Sequence, residues 1–386
     1  MTGPLHGVRV LVLAGMGPVP FVSMLLADMG AHVVRVVPPR RQGRARPQTA
    51  AGCEPADPFN RHVDTVALDL KGPGGSACVL NLVSVGDVFI EGYRPGTAER
   101  LGLGPDVLLE LNPRLVYARL TGYGQHGPLA KDAGHDINYL AQSGALRGMA
   151  RGGEAPPPVS LLAGYGGCGT IAAYGIVCAL LEARSSGQGQ VVDAATVDAV
   201  ALMSAKLHGL CAAGLYSEES GADFLDEGVP FYGTYQCADG RYLAVGALKP
   251  EFYCAFIARL GVDTTAWPGQ YDRRQWPHLR ERIADALKQR SRNDWAAIYS
   301  GTDACVTPVL NSDEAAVAPH NSERGLYEKV DGVLHCAPAP RLSRTPPRPP
   351  ASPPTALLDF DDLAANWAGC ARCPRSAERV AANGRA

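Results

Sequence analysis

Val8-Arg-Val-Leu-Val-Leu-Ala14 runs into Gly15-Met-Gly-Pro18, then a stretch of helical spacing over residues 21–29, then His32-Val-Val-Arg-Val-Val37. The reading of this opening decides the fold. Its two flanking segments are nearly unbroken apolar runs, as expected of strands covered on both faces. Gly15-Met-Gly-Pro18 breaks the first run, and Gly30-Ala31 ends the helix between them. The pattern is a βαβ unit, whose strands must lie parallel.

The same alternation continues outward. Strands are predicted at residues 65–70, 87–90, 114–120 and 190–194. Helices are predicted at 75–85, 106–111, 169–184 and 197–213. Strands separated by helices imply a parallel sheet layered between helices, an α/β, Rossmann-like fold. The pattern then changes. Val229-Pro-Phe-Tyr-Gly-Thr-Tyr-Gln-Cys237 and Arg241-Tyr-Leu-Ala-Val-Gly246 flank Ala238-Asp-Gly240, a β-hairpin signal. Helical patterns follow at 251–260, 276–289 and 293–299. The expected organisation is a large domain over 1–200 and a linker helix region over 201–224. A smaller α+β domain over 225–325 follows, then a return segment to the large domain over 326–365 and a tail over 366–386. Prolines make residues 344–354 extended and unable to form a helix.

Composition narrows the function classes. In 386 residues, 36 basic side chains meet 38 acidic ones, a net charge of −2, which disfavours nucleic acid as a partner. With 46% hydrophobic and 19% charged residues the chain has the makeup of a globular protein. No run reaches the roughly eighteen apolar residues of a membrane span, so no membrane partner is expected. No basic segment precedes an apolar run at the start, so no secretory signal is expected either. Cys78, Cys178 and Cys254 sit in apolar runs and read as reduced core residues of a cytoplasmic protein. Cys370 and Cys373 form a lone pair without the further ligands zinc needs, so no metal site is expected.

Four constellations could carry chemistry. Gly15-Met-Gly-Pro-Val-Pro20 partly matches a dinucleotide fingerprint, but Pro20 replaces its third glycine and Val36-Val-Pro-Pro39 supplies no acidic residue. A nicotinamide cofactor is therefore disfavoured. Arg40, Arg41, Arg44 and Arg46 follow the second strand, and Lys71, Arg94 and Arg100 lie near other strand ends. They read either as a pocket for a phosphorylated ligand or as a solvated charged surface. Gly134-His135-Asp136 offers an imidazole, the side chain best suited to take and return a proton near neutral pH. A structural histidine is the bland alternative. Gly164-Tyr-Gly-Gly-Cys-Gly169 opens a long helix, either as a nest of N–H groups for an oxyanion or as a flexible helix start.

Several of these segments, taken together, resemble the α-methylacyl-CoA racemases of the family III CoA-transferase superfamily. The resemblance rests on Gly3-Pro-Leu-His-Gly-Val-Arg-Val10, Leu26-Ala-Asp-Met-Gly-Ala31, Asp69-Leu-Lys71, Glu91-Gly-Tyr-Arg-Pro-Gly96 and Glu99-Arg-Leu-Gly-Leu-Gly-Pro105. It continues through Gly134-His-Asp-Ile-Asn-Tyr139, Gly187-Gln-Gly-Gln-Val-Val-Asp-Ala194 and Asp303-Ala-Cys-Val-Thr-Pro-Val309. It implies the interlocked family III architecture, a homodimer, and an active site between the large domain of one chain and the small domain of the other. The substrate would be an acyl-CoA, with coenzyme A part of the substrate and no cofactor bound permanently. Lys71, Gly92, Tyr93, Arg94, Arg100, Gly134, Ile137, Asn138 and Tyr139 would contact CoA. Arg40 or Arg41 would replace a phosphate-binding arginine at the position of Pro38.

The racemase chemistry implied is removal of the α-proton of a 2-methylacyl thioester and its return to the opposite face. His135 matches the first proton carrier, with Asp136 expected to orient its ring. The second carrier is an aspartate in a Gly-Asp-Phe-Gly-Gly segment, which reads Ala163-Gly-Tyr-Gly-Gly167 here, so its position is Gly164. CoA-transferases use an aspartate there as nucleophile, so simple CoA transfer is disfavoured. A glutamate of the small domain is replaced by Lys249. Tyr165, Lys249 or a water would have to donate instead, with Gly166 and Gly167 holding the thioester oxygen. The expected function is proton abstraction and enolate chemistry at the α-carbon, in an isomerase or a tailoring enzyme of a specialised pathway. Two alternatives stay open: a catalytically silent protein binding acyl-CoA or an acyl-carrier thioester, and a true racemase with a relocated acid.

Overall fold

The structure, a computed structural model, describes residues 3–13, 15–39, 57–149, 157, 159–214 and 228–369. It divides into two compact units. The first takes in the described parts of Met1–Tyr139, Ser160–Val200 and Gly325–Ala386, and the second those of Leu140–Val159 and Ala201–Arg324.

The first unit follows the alternation of the sequence. Its order is β1 (Arg9–Leu13), α1 (Pro18–Asp28), β2 (His32–Val37), β3 (Val63–Ala67), α2 (Gly75–Val83), β4 (Val88–Glu91), α3 (Thr97–Arg100), α4 (Pro105–Leu111) and β5 (Val116–Thr121). After these come α5 (Asp136–Gln142), which belongs to this unit as far as Tyr139, a π-helical turn (Leu162–Gly169), α6 (Thr170–Ser186), β6 (Gln190–Ala195) and α7 (Thr196–Met203), which belongs to it as far as Val200. The six strands pair in parallel in the order β3-β2-β1-β4-β5-β6. The strand order reverses between β1 and β4, so the crevice beyond their carboxyl ends is where ligands of such sheets bind.

The apolar runs are explained by two buried layers. Val10, Val12, Val33, Ile90 and Ala118 pack on one face with Val22 and Leu26 of α1 and Ile176 of α6. Leu11, Leu13, Val34, Val36 and Phe89 pack on the other with Val79 and Leu82 of α2. The continuous helical run Leu162–Ser186 is 25 residues long and contains an 18-residue stretch with a mean hydropathy of 1.4, enough by length and composition to cross a membrane. Here it is a core helix, because Ala172, Ile176, Ala179 and Leu180 are buried in the layer against the sheet.

The second unit holds α8 (Ala205–Ala212), β7 (Tyr232–Gln236), β8 (Tyr242–Gly246), α9 (Pro250–Ile257), α10 (Trp276–Leu287), α11 (Arg292–Tyr299), β9 (Val306–Pro308), α12 (Ser312–Val317) and α13 (Pro319–Glu323). The expected hairpin is β7–β8, and β9 extends it to an antiparallel three-stranded sheet. Phe231, Phe256, Trp276, Ile283 and Trp295 fill its core. Ser291 and Asp294 form a capping box at the start of α11.

The chain then returns to the first unit as a hairpin, β10 (Tyr327–Val330) and β11 (Val333–Cys336), and ends there in α14 (Phe360–Gly369). Residues 344–354 carry no helix or strand. Arg348 N–H donates to the Asp28 carbonyl at 2.7 Å, and Leu358 N–H to the Thr65 carbonyl at 2.8 Å beside β3.

Some expectations change. The helix expected over 197–213 is two helices, parted at Ser204. Trp367 of α14, which had been assigned to the tail, is buried in the layer of Leu82 and Phe89. Cys178 and Cys254 are exposed and Cys78 half-buried, whereas Cys168 and Cys237 are buried. The helices carrying Cys178 and Cys254 are apolar on more than their buried face, so an apolar run did not locate the core side. Cys370 and Cys373 lie outside the described residues.

Candidate active site

The crevice is built first by glycine. Gly15 follows β1, and Gly92 follows β4. A β-carbon on Gly92 would stand 2.7 Å from Val19 Cγ2 and 3.5 Å from Gly15 Cα. The two turns can approach this closely because neither carries a side chain.

The turn after β4 is pinned from below. Glu91 is fully buried, accepts the Tyr93 N–H at 2.7 Å and pairs with Arg119 Nε at 3.0 Å. Arg119 reaches Glu99 with its other arm at 2.8 Å. Glu91 and Arg119 are register partners on β4 and β5. Burial pushes the Glu91 carboxyl above its usual range, with the Tyr93 N–H and Arg119 opposing the rise. Burial also raises the Tyr93 phenol, helped by Glu91. Lys71, Arg94 and Arg100 are exposed. Arg100 donates to Thr97 Oγ1 at 2.9 Å. Among the described residues no ion pair engages Lys71 or Arg94. Arg40 and Arg41 lie outside the described residues.

Glu91, Arg119 and Glu99 are positioning residues; Glu91 and Glu99 head two of the motifs quoted above, but the sequence assigns no role to them or to Arg119. A cavity of about 350 Å³ opens beside them, lined by Glu99, Arg119, Gln125, His126 and Asp193 among others. The available signal was an acid and a base inside two strands otherwise apolar and adjacent in the sheet.

The Gly134–Tyr139 segment is a clamp on His135. Tyr139 OH donates to the Gly134 carbonyl at 2.5 Å. Its ring fits against two glycines: a β-carbon on Gly122 would stand 2.3 Å from Tyr139 Cε1, and one on Gly134 2.7 Å from it. Tyr123 meets the same ring edge-on at 5.0 Å. His135 N–H donates to Asn138 Oδ1 at 3.0 Å, while Asn138 N–H donates to the His135 carbonyl at 2.8 Å. These reciprocal bonds start α5, so the segment is a capped helix start. The backbone of His135 is held from both sides. Its side chain is exposed, and its ring has no hydrogen-bond partner among the described residues. Burial pushes the Tyr139 phenol up to about 12, with Tyr123 and Asp136 adding to it, so the hydroxyl is a lasting donor. Ile137 is 40% exposed at the same helix start.

Asp136 does not orient the imidazole; no hydrogen bond joins the two side chains. Its carboxylate turns instead toward Gly164, where a β-carbon would stand 2.9 Å from Asp136 Oδ1. Asp136 Oδ2 is buried and has no hydrogen-bond partner among the described residues. Gly164 itself is buried in the π-helical turn. Leu161, at φ 72°, opens that turn in a conformation rare for a branched side chain. Gly166 N–H donates to the Leu161 carbonyl at 3.1 Å. The glycine-rich stretch is therefore a hydrogen-bonded π-helical turn, and the N–H of Gly166 is already engaged. Such turns recur at functional sites.

Tyr165 lies half-buried in an aromatic trio. Its ring is 5.7 Å from Phe21 and 5.1 Å from Phe59. Burial raises its phenol, and Asp136 adds to the rise. Lys249 belongs to the second unit. It caps α9 there, with its ammonium 5.3 Å over the Phe252 ring. Within the first unit the structure thus groups Asp136, Gly164 and Tyr165 around α5, His135 at the head of that helix, and Lys71, Gly92, Tyr93, Arg94 and Arg100 after the strands.

Comparison with known proteins gives concordant matches. The family model described as CoA-transferase family III matches residues 5–358. The chain is 44% identical over 350 residues to the α-methylacyl-CoA racemase of Mus musculus, covering 90% of this chain and 88% of that protein. It is 42% identical to the Homo sapiens α-methylacyl-CoA racemase over 349 residues, 89% of this chain and 88% of that one. Among solved structures, a CAIB/BAIF family protein from Brucella suis superposes with a TM-score of 0.79 at 23% identity. It covers 95% of this chain and 100% of its own, and shows the same fold.

Proposed function

The chain belongs to CoA-transferase family III, and from that premise we propose that it is an acyl-CoA enzyme of the α-methylacyl-CoA racemase type. The observation that carries this reading is His135: its backbone is clamped by Asn138 and Tyr139 while its ring is left unpartnered, in a segment that Tyr139 packs against Gly122, the first residue beyond β5. A thioester makes the hydrogens on its α-carbon acidic. The neutral imidazole takes one of them, the C–H electron pair moves onto the thioester oxygen, and an enolate forms. Its planarity opens both faces to reprotonation. Phe21, Phe59 and Tyr165 supply an apolar wall for the acyl group.

Coenzyme A enters as part of the substrate. Lys71, Arg94 and Arg100, with Arg40 or Arg41, offer its phosphates cations, and the turn at Gly92 and Tyr93 lets the ligand approach backbone. Support for a homodimer comes from α6, whose outer face exposes Tyr174 and Leu181, 69% and 61%. A second copy of the chain would cover this stripe. Leu181→Glu should then shift the mass seen by light scattering from dimer to monomer; an unchanged mass places any interface elsewhere.

The test of the function is α-proton exchange in D2O with both enantiomers of a 2-methylacyl-CoA. The wild-type protein should wash deuterium into the α-position of both, and His135→Ala should lose most of that rate from at least one of them. Absence of exchange from either enantiomer rejects the reading.

A further inference from the structure

We propose that the Asp136 carboxylate is the second proton carrier of this site, occupying the space that Gly164 leaves open. The inference rests on the acyl-CoA reading above and names the group that serves the face His135 does not. Inverting a carbon through a planar enolate requires a proton to leave one face and another to arrive on the opposite one. A single imidazole fixed by its backbone serves one face.

Three observations point to Asp136. The first is room: an α-carbon without a side chain at position 164 lets Asp136 Oδ1 come so close that any β-carbon would meet it at 2.9 Å. Glycine and carboxylate are thus complementary, one space filled by one group. The second is an open valence. Asp136 Oδ2 is buried without a partner among the described residues. A buried polar oxygen left without a hydrogen bond costs about 1–3 kcal/mol, more when charged, and a substrate hydrogen would relieve it. The third is direction. Asp136 is the first residue of α5 and His135 is its cap. The imidazole is exposed while the carboxylate turns inward against Gly164, so the two functional groups leave one capped helix start toward different surroundings. The carboxylate is also near enough to Tyr165 and Tyr139 to raise both phenols, secondary to burial, which places it among the site's aromatic groups.

The step balances. The imidazole nitrogen takes the α-proton of one enantiomer, and the C–H pair passes to the thioester oxygen. The protonated Asp136 carboxyl then gives its O–H proton to the other face of the α-carbon as the carbonyl re-forms. The enzyme is left with an imidazolium and a carboxylate, the state from which the opposite enantiomer reacts.

The experiment measures deuterium exchange from each enantiomer separately in wild type, Asp136→Asn, His135→Asn and Gly164→Ala, with melting curves for all four. Asp136→Asn should lose about 10²–10⁴-fold of the exchange from one enantiomer, the range for removing a general acid or base, and keep the other within a few fold. His135→Asn should show the opposite selectivity. Gly164→Ala, which crowds the carboxylate without deleting it, should lose rate on the same enantiomer as Asp136→Asn, and carries the test should Asp136→Asn fail to fold. Equal loss from both enantiomers, or loss from neither, in the folded variants overturns the assignment of Asp136 while wild-type exchange keeps the acyl-CoA reading. Transfer of CoA to a free carboxylate acceptor, abolished in Asp136→Asn, makes the group a nucleophile and also overturns it. A wild-type protein that exchanges neither enantiomer overturns both readings together.

Discussion

Gly122→Ala should damage the protein through one side chain, Tyr139. Neither Gly122 nor Gly134 has a positive φ, so alanine meets no backbone penalty at either. The obstacle is a β-carbon 2.3 Å from both Cε1 and the hydroxyl of Tyr139. Overpacking of this kind costs about 1–3 kcal/mol. At roughly 2–4 °C per kcal/mol for a unit of this size, the melting midpoint should fall by about 2–12 °C. The ring is displaced, and with it the hydroxyl that holds the Gly134 carbonyl one residue before His135. A shift of about 1 Å at a reacting group can cost ~10²-fold in rate, so exchange kcat should fall by one to two orders of magnitude at nearly constant KM. The decisive control is a cycle. In a Tyr139→Ala background the same Gly122→Ala change meets empty space and should cost less than about 0.5 kcal/mol, leaving a coupling of ~1–3 kcal/mol. Additive melting shifts would falsify the claim that Tyr139 is the reason for the glycine.

Three further outcomes follow from the same geometry. Tyr139 holds its proton to about pH 12, raised first by burial and then by Tyr123 and Asp136, whereas an unfolded tyrosine ionises near pH 10. Its stabilising contribution is complete below pH 10 and disappears as pH climbs from 10 to 12; wild type should lose stability relative to Tyr139→Phe across that window in paired denaturation curves, and parallel curves would refute it. Arg61 and Asp28 form a buried bidentate pair at 2.8 and 2.6 Å, and Arg61 also donates to the Cys336 carbonyl at 2.7 Å. Arg61→Met should cost about 3–5 kcal/mol by stranding the Asp28 charge, and adding Asp28→Leu should restore much of it, as for other buried pairs replaced whole. Lys71→Ala and Arg94→Ala should each raise KM for an acyl-CoA about 10-fold or more with kcat little changed, the signature of lost ground-state binding; unchanged KM in both removes them from the phosphate site.

What the sequence made legible follows from physics that acts locally. The expected bounds of β2, residues 32–37, match the strand, because Gly30 ends the helix before it and Pro38-Pro39 follow its last residue. The strands β9, β10 and β11 are three or four residues long, partly exposed and shared with polar residues, so no periodicity marked them. The helix α5 was hidden because its cap is unusual in sequence: Asn138 reaches back to the His135 N–H, where a Ser or Asp before the helix would have announced it. The turn at Gly164 reads as an open nest or a flexible helix start because glycines signal loops; the chain instead winds it into a π-helical turn behind the positive φ of Leu161.

The candidate site divides along the same line. His135 and the cations after the strands were readable because they follow strand ends, and strand ends in a parallel sheet converge on one edge. The Glu91–Arg119 pair could have been read as well, since buried charges on adjacent strands need one another. The approach of Asp136 to Gly164 could not. The two are 28 positions apart and joined by no periodicity. A missing side chain in a sequence says that a group has been lost from its own backbone position. It does not say whether another backbone position has put an equivalent group into the same space. That depends on how α5 leaves its cap, which is fixed by Tyr139 lying between two glycines. Substituting those glycines should therefore move Asp136 as well as His135, and the exchange of both enantiomers should fall together in Gly122→Ala, in contrast to the one-sided loss expected of Asp136→Asn.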